Sequence, residues 1–219
     1  YEARGHYDEL IALLERARQD EQGAHMNTLT ELAVLYSKYR EEKLMDFVRA
    51  QHDKLNLPRV ITFAQQNRQW PELVFLYMHY NEYDNAALTI MQHSAEAWEH
   101  TQFKDVLAKV ANSDLHYRAV EFYLDEHPLL ANDLLAALAG SVDHARVVQL
   151  VRRLGHLPLV KTYLESVQEK DVPAVNDALN ELYVEEEDHE KLRHSIEQFE
   201  QFDGAALARK LEAHALLEF

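Results

Sequence analysis

Apolar residues return at helical spacing along almost the whole chain, and very little interrupts them. In HMNTLTELAVLYSKYR the set Met26, Leu29, Leu32, Ala33 and Tyr36 falls on one face of a helix. In WPELVFLYMHY the set Trp70, Leu73, Val74, Tyr77 and Tyr80 does the same. Tyr117, Val120, Phe122 and Leu124 follow less regularly, and Leu207, Leu211 and His214 or Ala215 mark a last helix. Only 5 Gly and 5 Pro occur in 219 residues. All-β folds need a turn every ~8–12 residues, and turns draw on those two residue types. The pattern predicts an all-α chain with connections of about 1–4 residues, which makes neighbouring helices antiparallel.

The punctuation agrees with that reading. Gly23, Gly140, Gly155 and Gly204 fall between periodic segments, where a residue that tolerates positive φ is useful. Pro58, Pro71, Pro128, Pro158 and Pro173 each precede an apolar run, as expected for prolines in a helix's first turn. About fourteen helices of roughly 10–16 residues result. Their expected starts are Gly5, Ala24, Glu41, Leu57, Pro71, Tyr83, Thr101, Asp114, Pro128, Val142, Leu157, Val172, Glu187 and Phe202.

A weak motif recurs within the pattern. A bulky residue opens a helix and an apolar residue follows three positions later, as in Tyr7-x-x-Leu10-Ile11, Trp70-x-x-Leu73-Val74, Tyr83-x-x-Ala86-Ala87 and Phe202-x-x-Ala205. Trp70 and Tyr83 lie 13 apart, as do His189 and Phe202, which is one helix plus one turn. A unit that cannot bury its own apolar face must stack on the next. The expected fold is therefore an α-α superhelix, a solenoid of short antiparallel hairpins without an internal linker.

Charge and composition narrow the function classes. The formal charge of −16 opposes phosphate-driven binding to DNA or RNA. It opposes adsorption to anionic lipid as well, and no run of roughly 18 apolar residues predicts membrane insertion. The absence of Cys from the sequence removes disulfides and thiolate metal sites. The start YEARGHYDEL shows neither an initiator Met nor a signal-peptide pattern, and both ends read as cut from a longer protein.

At the level of longer segments the chain resembles the clathrin heavy-chain family. The resemblance rests on HMNTLTELAVLYSKYR, WPELVFLYMHYNEYDNAALTIMQHSAEAWEHTQFKDVLAKVAN, HYRAVEFYLDEHPLLANDLL, DHARVVQLVRRLGHLPLVKTYLESVQ and ALNELYVEEEDHEKLRHSIEQFEQFD. It implies the proximal leg, with most of one heavy-chain repeat over 1–132 and the first part of the next over 133–219. It further implies a structural role in vesicle coats for endocytosis and transport, on the cytosolic face of coated pits and vesicles. The implied partners are the clathrin light chain and other heavy-chain legs, with no cofactor. The chain departs from the family pattern in lacking Cys and in carrying His127 where some members carry Lys.

The same resemblance implies candidate light-chain contacts. Lys38 in YSKYR matches a basic contact position, His127 a second, and Arg40 and Lys43 stand close enough to Lys38 in sequence to share its role. Read without the family, Lys38, Arg40 and Lys43 would serve a helix C-terminus, where cations favour the dipole. Arg146, Arg152 and Arg153 form a smaller basic patch, readable as an exposed face or a leg–leg contact.

Other chemistries find little footing. The 13 His contain no H-E-x-x-H, His189 and His194 are five apart, and His93-Ser94-Ala95 reads as a helix break between His93 and His100. The number of His motivates a pH dependence of assembly. The run Glu185 to Asp188 with Glu190 reads as a helix start. No G-x-S-x-G, P-loop or G-x-G-x-x-G is present, so the chain is not expected to be an enzyme. The remaining alternatives are a peptide-binding or vesicle-tethering helical repeat, and a redesigned clathrin leg without native partners. The tetratricopeptide signature is not kept.

Overall fold

The computed structural model describes residues 6–18 and 25–217, with side chains as far as His214. The expected helix starts at Gly5 and Ala24, the turn at Gly23 and the side chain of Ala215 lie outside them. Among the described residues there are fifteen α-helices and no strand. The chain divides into two compact units, Tyr1–Ala111 and Asn112–Phe219.

The first unit holds α1 (Tyr7–Ala17), α2 (Met26–Tyr39), α3 (Glu41–Gln51), α4 (Leu57–Gln66), α5 (Trp70–His79), α6 (Tyr83–Gln92), α7 (Ser94–Ala97) and α8 (His100–Leu107). The second holds α9 (Asp114–Glu126), α10 (Ala131–Leu138), α11 (His144–Leu154), α12 (Lys161–Val167), α13 (Pro173–Glu185), α14 (His189–Gln198) and α15 (Gly204–Leu217). Within each unit the principal packing runs from a helix to the next one or the one after, as in α2 on α3 and α4, or α11 on α13. That is the all-α hairpin stack that the periodicity predicts.

The core follows the expected faces. Leu29, Leu32, Ala33 and Tyr36 are buried on α2 and Leu73 and Val74 on α5, whereas Met26 and Tyr80, at the ends of the same stripes, are exposed. In the second unit Tyr123, Leu134, Leu135, Tyr163 and Leu164 are almost wholly enclosed. Full burial of one such side chain is worth about 1.5–3 kcal/mol, so several along each short helix hold elements that would not form alone. On α15 Leu211 is exposed, against the expected apolar face.

The connections depart most from expectation. Of the described glycines only Gly155 has positive φ, at 74°. Arg68, Asn81, Asp171 and Glu187 adopt the left-handed region without being glycine. Four of these five positions close the same motif. Gln69 N–H donates to the Ala64 carbonyl, Glu82 to Tyr77, His156 to Val151 and Asp188 to Tyr183, each five residues back at 2.8–2.9 Å. These bonds satisfy carbonyls that the helix end leaves open. The donor in each case also starts the next helical segment, so one left-handed residue and one cap turn the chain around.

Four further segments differ from expectation. Pro128 and Leu157 begin 3₁₀ turns, Pro128–Leu130 and Leu157–Val160, which run directly into α10 and α12. His93 does break α6, but Ser94–Ala97 then forms one more helical turn, and the break is stabilised by stacking of His93 on Trp70 with ring centroids 3.5 Å apart. The acidic run splits: Glu185 ends α13, Glu186 caps it, and only Asp188 and Glu190 start α14, with the Asp188 carboxylate accepting from Lys191 N–H at 3.1 Å. Carboxylates at a helix C-terminus oppose the dipole. Here Lys210 meets Glu185 at 2.8 Å and Lys161 meets Glu186.

Candidate partner-binding site

The four candidate residues sit at helix ends in both units. Arg40 is the single residue between α2 and α3, with φ −145° and ψ 58°. Its N–H donates to the Tyr36 carbonyl at 2.9 Å and its own carbonyl accepts from Lys43 N–H at 3.0 Å. His127 ends α9 in nearly the same conformation, φ −137° and ψ 52°, and its N–H donates to Tyr123 O at 2.8 Å. The two residues thus occupy one kind of joint, which His93 between α6 and α7 also forms, with φ −129°, ψ 45° and its N–H on Thr89 O at 3.0 Å.

The first joint is held by a buried polar knot. Ser37 Oγ donates to Gln69 Oε1 at 2.6 Å, and Gln69 Nε2 donates to the Ser37 carbonyl at 2.9 Å. Asn67 Nδ2 adds bonds to Ser37 O and Oγ at 3.1 and 2.8 Å. Gln69 is 2% exposed, so breaking the knot would strand polar atoms out of water. The knot fixes the last turn of α2 against the α4–α5 connection, which places Lys38, the next residue.

The three cations of this joint then part company. Lys38 is exposed and its ammonium lies over the ring of Phe63 on α4, 5.0 Å from the centroid. Arg40 pairs with Asp8 at 2.6 Å and Lys43 with Glu15 at 3.0 Å, both on α1. Glu15 also accepts from the Tyr36 hydroxyl at 2.6 Å, and that bond, with the Lys43 bond second, lowers its pKa. Arg40 and Lys43 therefore anchor α1, while Lys38 overlies an aromatic side chain of α4.

At the second joint the His127 ring is half-buried, edge-on to Phe122 and Tyr123 at 5.5 and 5.9 Å between centroids. Two residues on, Leu129 is 93% exposed at the crest of the 3₁₀ turn. The following turn repeats the feature 30 residues later with Leu159, 38% exposed. Asn132 ties these turns, donating from Nδ2 to Leu159 O at 2.6 Å and accepting from Tyr163 N–H at 2.9 Å. Neither Leu129 nor Phe63 stood out in the sequence. Pro128-Leu129-Leu130 offers two leucines and no signal for which points outward.

The Arg patch on α11 is spoken for internally. Arg146 pairs with Asp114 at 2.8 Å, Arg153 with Glu121 at 2.7 Å and Arg152 with Glu181 at 2.6 Å. Exposed pairs of this kind add under ~1 kcal/mol each, but they remove the free positive field that the sequence suggested. Among the described residues no three His, Asp or Glu are placed to hold a metal ion, and no helix is long and apolar enough to cross a membrane.

Comparison with known proteins gives one consistent answer. A family model described as "Region in Clathrin and VPS" matches residues 1–131 and 135–219. The chain is 56% identical to a clathrin heavy chain of Dictyostelium discoideum, 52% to clathrin heavy chain 1 of Arabidopsis thaliana and 50% to clathrin heavy chain 2 of Homo sapiens. Each match covers 100% of this chain, which spans about 13% of the length of those relatives.

Proposed function

The chain belongs to the clathrin heavy-chain repeat family, and on that premise we propose that it is a structural leg segment of a clathrin vesicle coat that binds the clathrin light chain. It acts by presenting a surface, with no chemistry of its own. Its place is the cytosolic face of coated pits and vesicles, and its second partner is the leg of another heavy chain. The boundary between its two heavy-chain repeats falls near Asn132, a reading supported by the interval between the two family matches.

The observation that carries the light-chain reading is the state of Lys38. Lys38 stands at the position that the family resemblance matches to a basic contact, and it is exposed there, with its ammonium 5.0 Å from the centroid of the Phe63 ring. A carboxylate on an approaching helix pairs with that exposed cation, and the electrostatic match favours orientation and on-rate as well as affinity. An exposed leucine beside His127 offers apolar area on the second unit. The 50–56% identity to proteins named as clathrin heavy chains favours the coat over a vesicle-tethering or peptide-receptor role.

Calorimetric titration with the central helix of a clathrin light chain tests this reading. Saturable binding is expected, with Lys38→Glu weakening it about tenfold, which is ~1.4 kcal/mol. A chain that is fully helical by circular dichroism yet takes up no light-chain helix would rule out the light-chain role and leave the coat assignment resting on the family alone.

A further inference from the structure

His144 opens α11 and is buried, and both of its ring nitrogens are held. Nδ1 lies 2.6 Å from the Tyr163 hydroxyl on α12, and Nε2 lies 2.7 Å from the ammonium of Lys170, in the 3₁₀ turn Gln168–Lys170. An ammonium has three donors and no lone pair. Nε2 must therefore accept, and the ring proton must sit on Nδ1, pointed at the Tyr163 oxygen. Burial, with Tyr117 and Asp143 adding to it, pushes the Tyr163 hydroxyl up, so that group stays protonated.

Lys170 makes a second bond from the same ammonium, to the Ala139 carbonyl at 3.2 Å. One cation thus ties the turn after α12 to the start of α11 and to the residue that ends α10. The next residue, Asp171, is left-handed, and its carboxylate accepts from Asn176 Nδ2 at 2.7 Å and from Gln201 N–H at 3.4 Å. The Lys170–Asp171 pair is accordingly the tie point of four segments of the second unit.

We infer that the His144–Lys170 contact is an acid-released latch, in which protonation of His144 expels the Lys170 ammonium from both His144 and Ala139. A protonated Nε2 would point its N–H at a cation that has nothing to accept with. The groups facing His144 argue in the same direction. Tyr163 from α12 stays neutral, and Lys170 opposes a second positive charge. Tyr117 of α9 is occupied as acceptor of Asp143 N–H at 2.9 Å. Only Asp143, beside His144 in sequence, favours the charged ring. The carboxylates of α9 and α13 that meet α11 are paired with its arginines, Asp114 and Glu121 with Arg146 and Arg153, and Glu181 with Arg152.

Burial first, and the Lys170 charge second, hold His144 below the ordinary value of 6.5. The unfolded chain then takes up this proton before the folded one does. The stabilisation is complete above that ordinary value, declines as pH falls below it, and is spent once pH has passed the lowered value of the folded state.

Nuclear magnetic resonance of the chain with ¹⁵N-labelled histidine reads the latch directly. At neutral pH His144 should show the Nδ1–H tautomer, and it should stay neutral as pH falls through the ordinary imidazole value of 6.5. Lys170→Met should raise the pH at which His144 titrates and speed amide exchange over 168–171. A wild-type His144 in the Nε2–H tautomer would overturn the proposal without any substitution. A titration unchanged by Lys170→Met would overturn it too.

Discussion

The Lys38 ammonium lies 5.0 Å from the centre of the Phe63 ring. Lys43, five positions on, meets Glu15 of α1 instead, at 3.0 Å. The two lysines should therefore fail differently when reversed. Lys38→Glu also gives up the contact with the Phe63 ring, so it should lower the urea midpoint slightly, with the larger effect on light-chain binding. Lys43→Glu should set two carboxylates against each other at Glu15 and lower stability by under ~1 kcal/mol, with the smaller effect on binding. Calorimetry and urea unfolding on both variants make the comparison.

The left-handed turns give a pair of opposite effects. A Cβ on Gly155 would meet nothing within 4 Å, so Gly155→Ala costs only the left-handed backbone itself, about 1 kcal/mol. Glu187 already carries that cost at φ 59°. Glu187→Gly relieves it, and the relief exceeds the extra chain entropy that glycine brings to the unfolded state. It also removes one carboxylate from the run Glu185 to Asp188. Thermal unfolding should thus move down for Gly155→Ala and up for Glu187→Gly.

Two carboxylates of the first unit should respond to pH with opposite sign. Glu99 caps α8, accepting from Gln102 N–H at 2.6 Å and Thr101 N–H at 2.9 Å, and these bonds lower its pKa below 4.5. Its stabilisation is present above that ordinary value and lost as pH falls through the lowered one. Glu72 is half-buried, and burial, with Glu41 second, raises its pKa. Its ionised form therefore disfavours the fold as pH rises past the ordinary carboxylate range. Glu99→Gln should destabilise at neutral pH and be silent in acid, while Glu72→Gln should stabilise at neutral pH and likewise be silent in acid. Urea unfolding across that pH range checks both.

Much of this architecture is legible in the sequence, and the limits have physical causes. The stripes from Leu29 to Tyr36 and at Leu73 and Val74 report burial, because a helix must hide its apolar face. Glu41, Leu57, Tyr83 and Asp114 start helices as the pattern predicts. The turns were less readable. Hydrogen bonds such as Asp188 N–H to Tyr183 O let Arg68, Asn81 and Glu187 enter a conformation that composition reserves for glycine. The split of the cations at Arg40 was hidden for a different reason. Asp8 and Glu15 lie 32 and 28 residues from their partners, and spacing along one helix cannot announce a neighbour from another.

Hydrogen–deuterium exchange of the chain, with and without a saturating clathrin light-chain helix, tests the proposed coat role most directly. Slowed exchange over 38–43 and over 127–131 is the predicted footprint, reduced at the first segment by Lys38→Glu. Unchanged exchange at both segments, or protection confined to helix faces away from these joints, would contradict it.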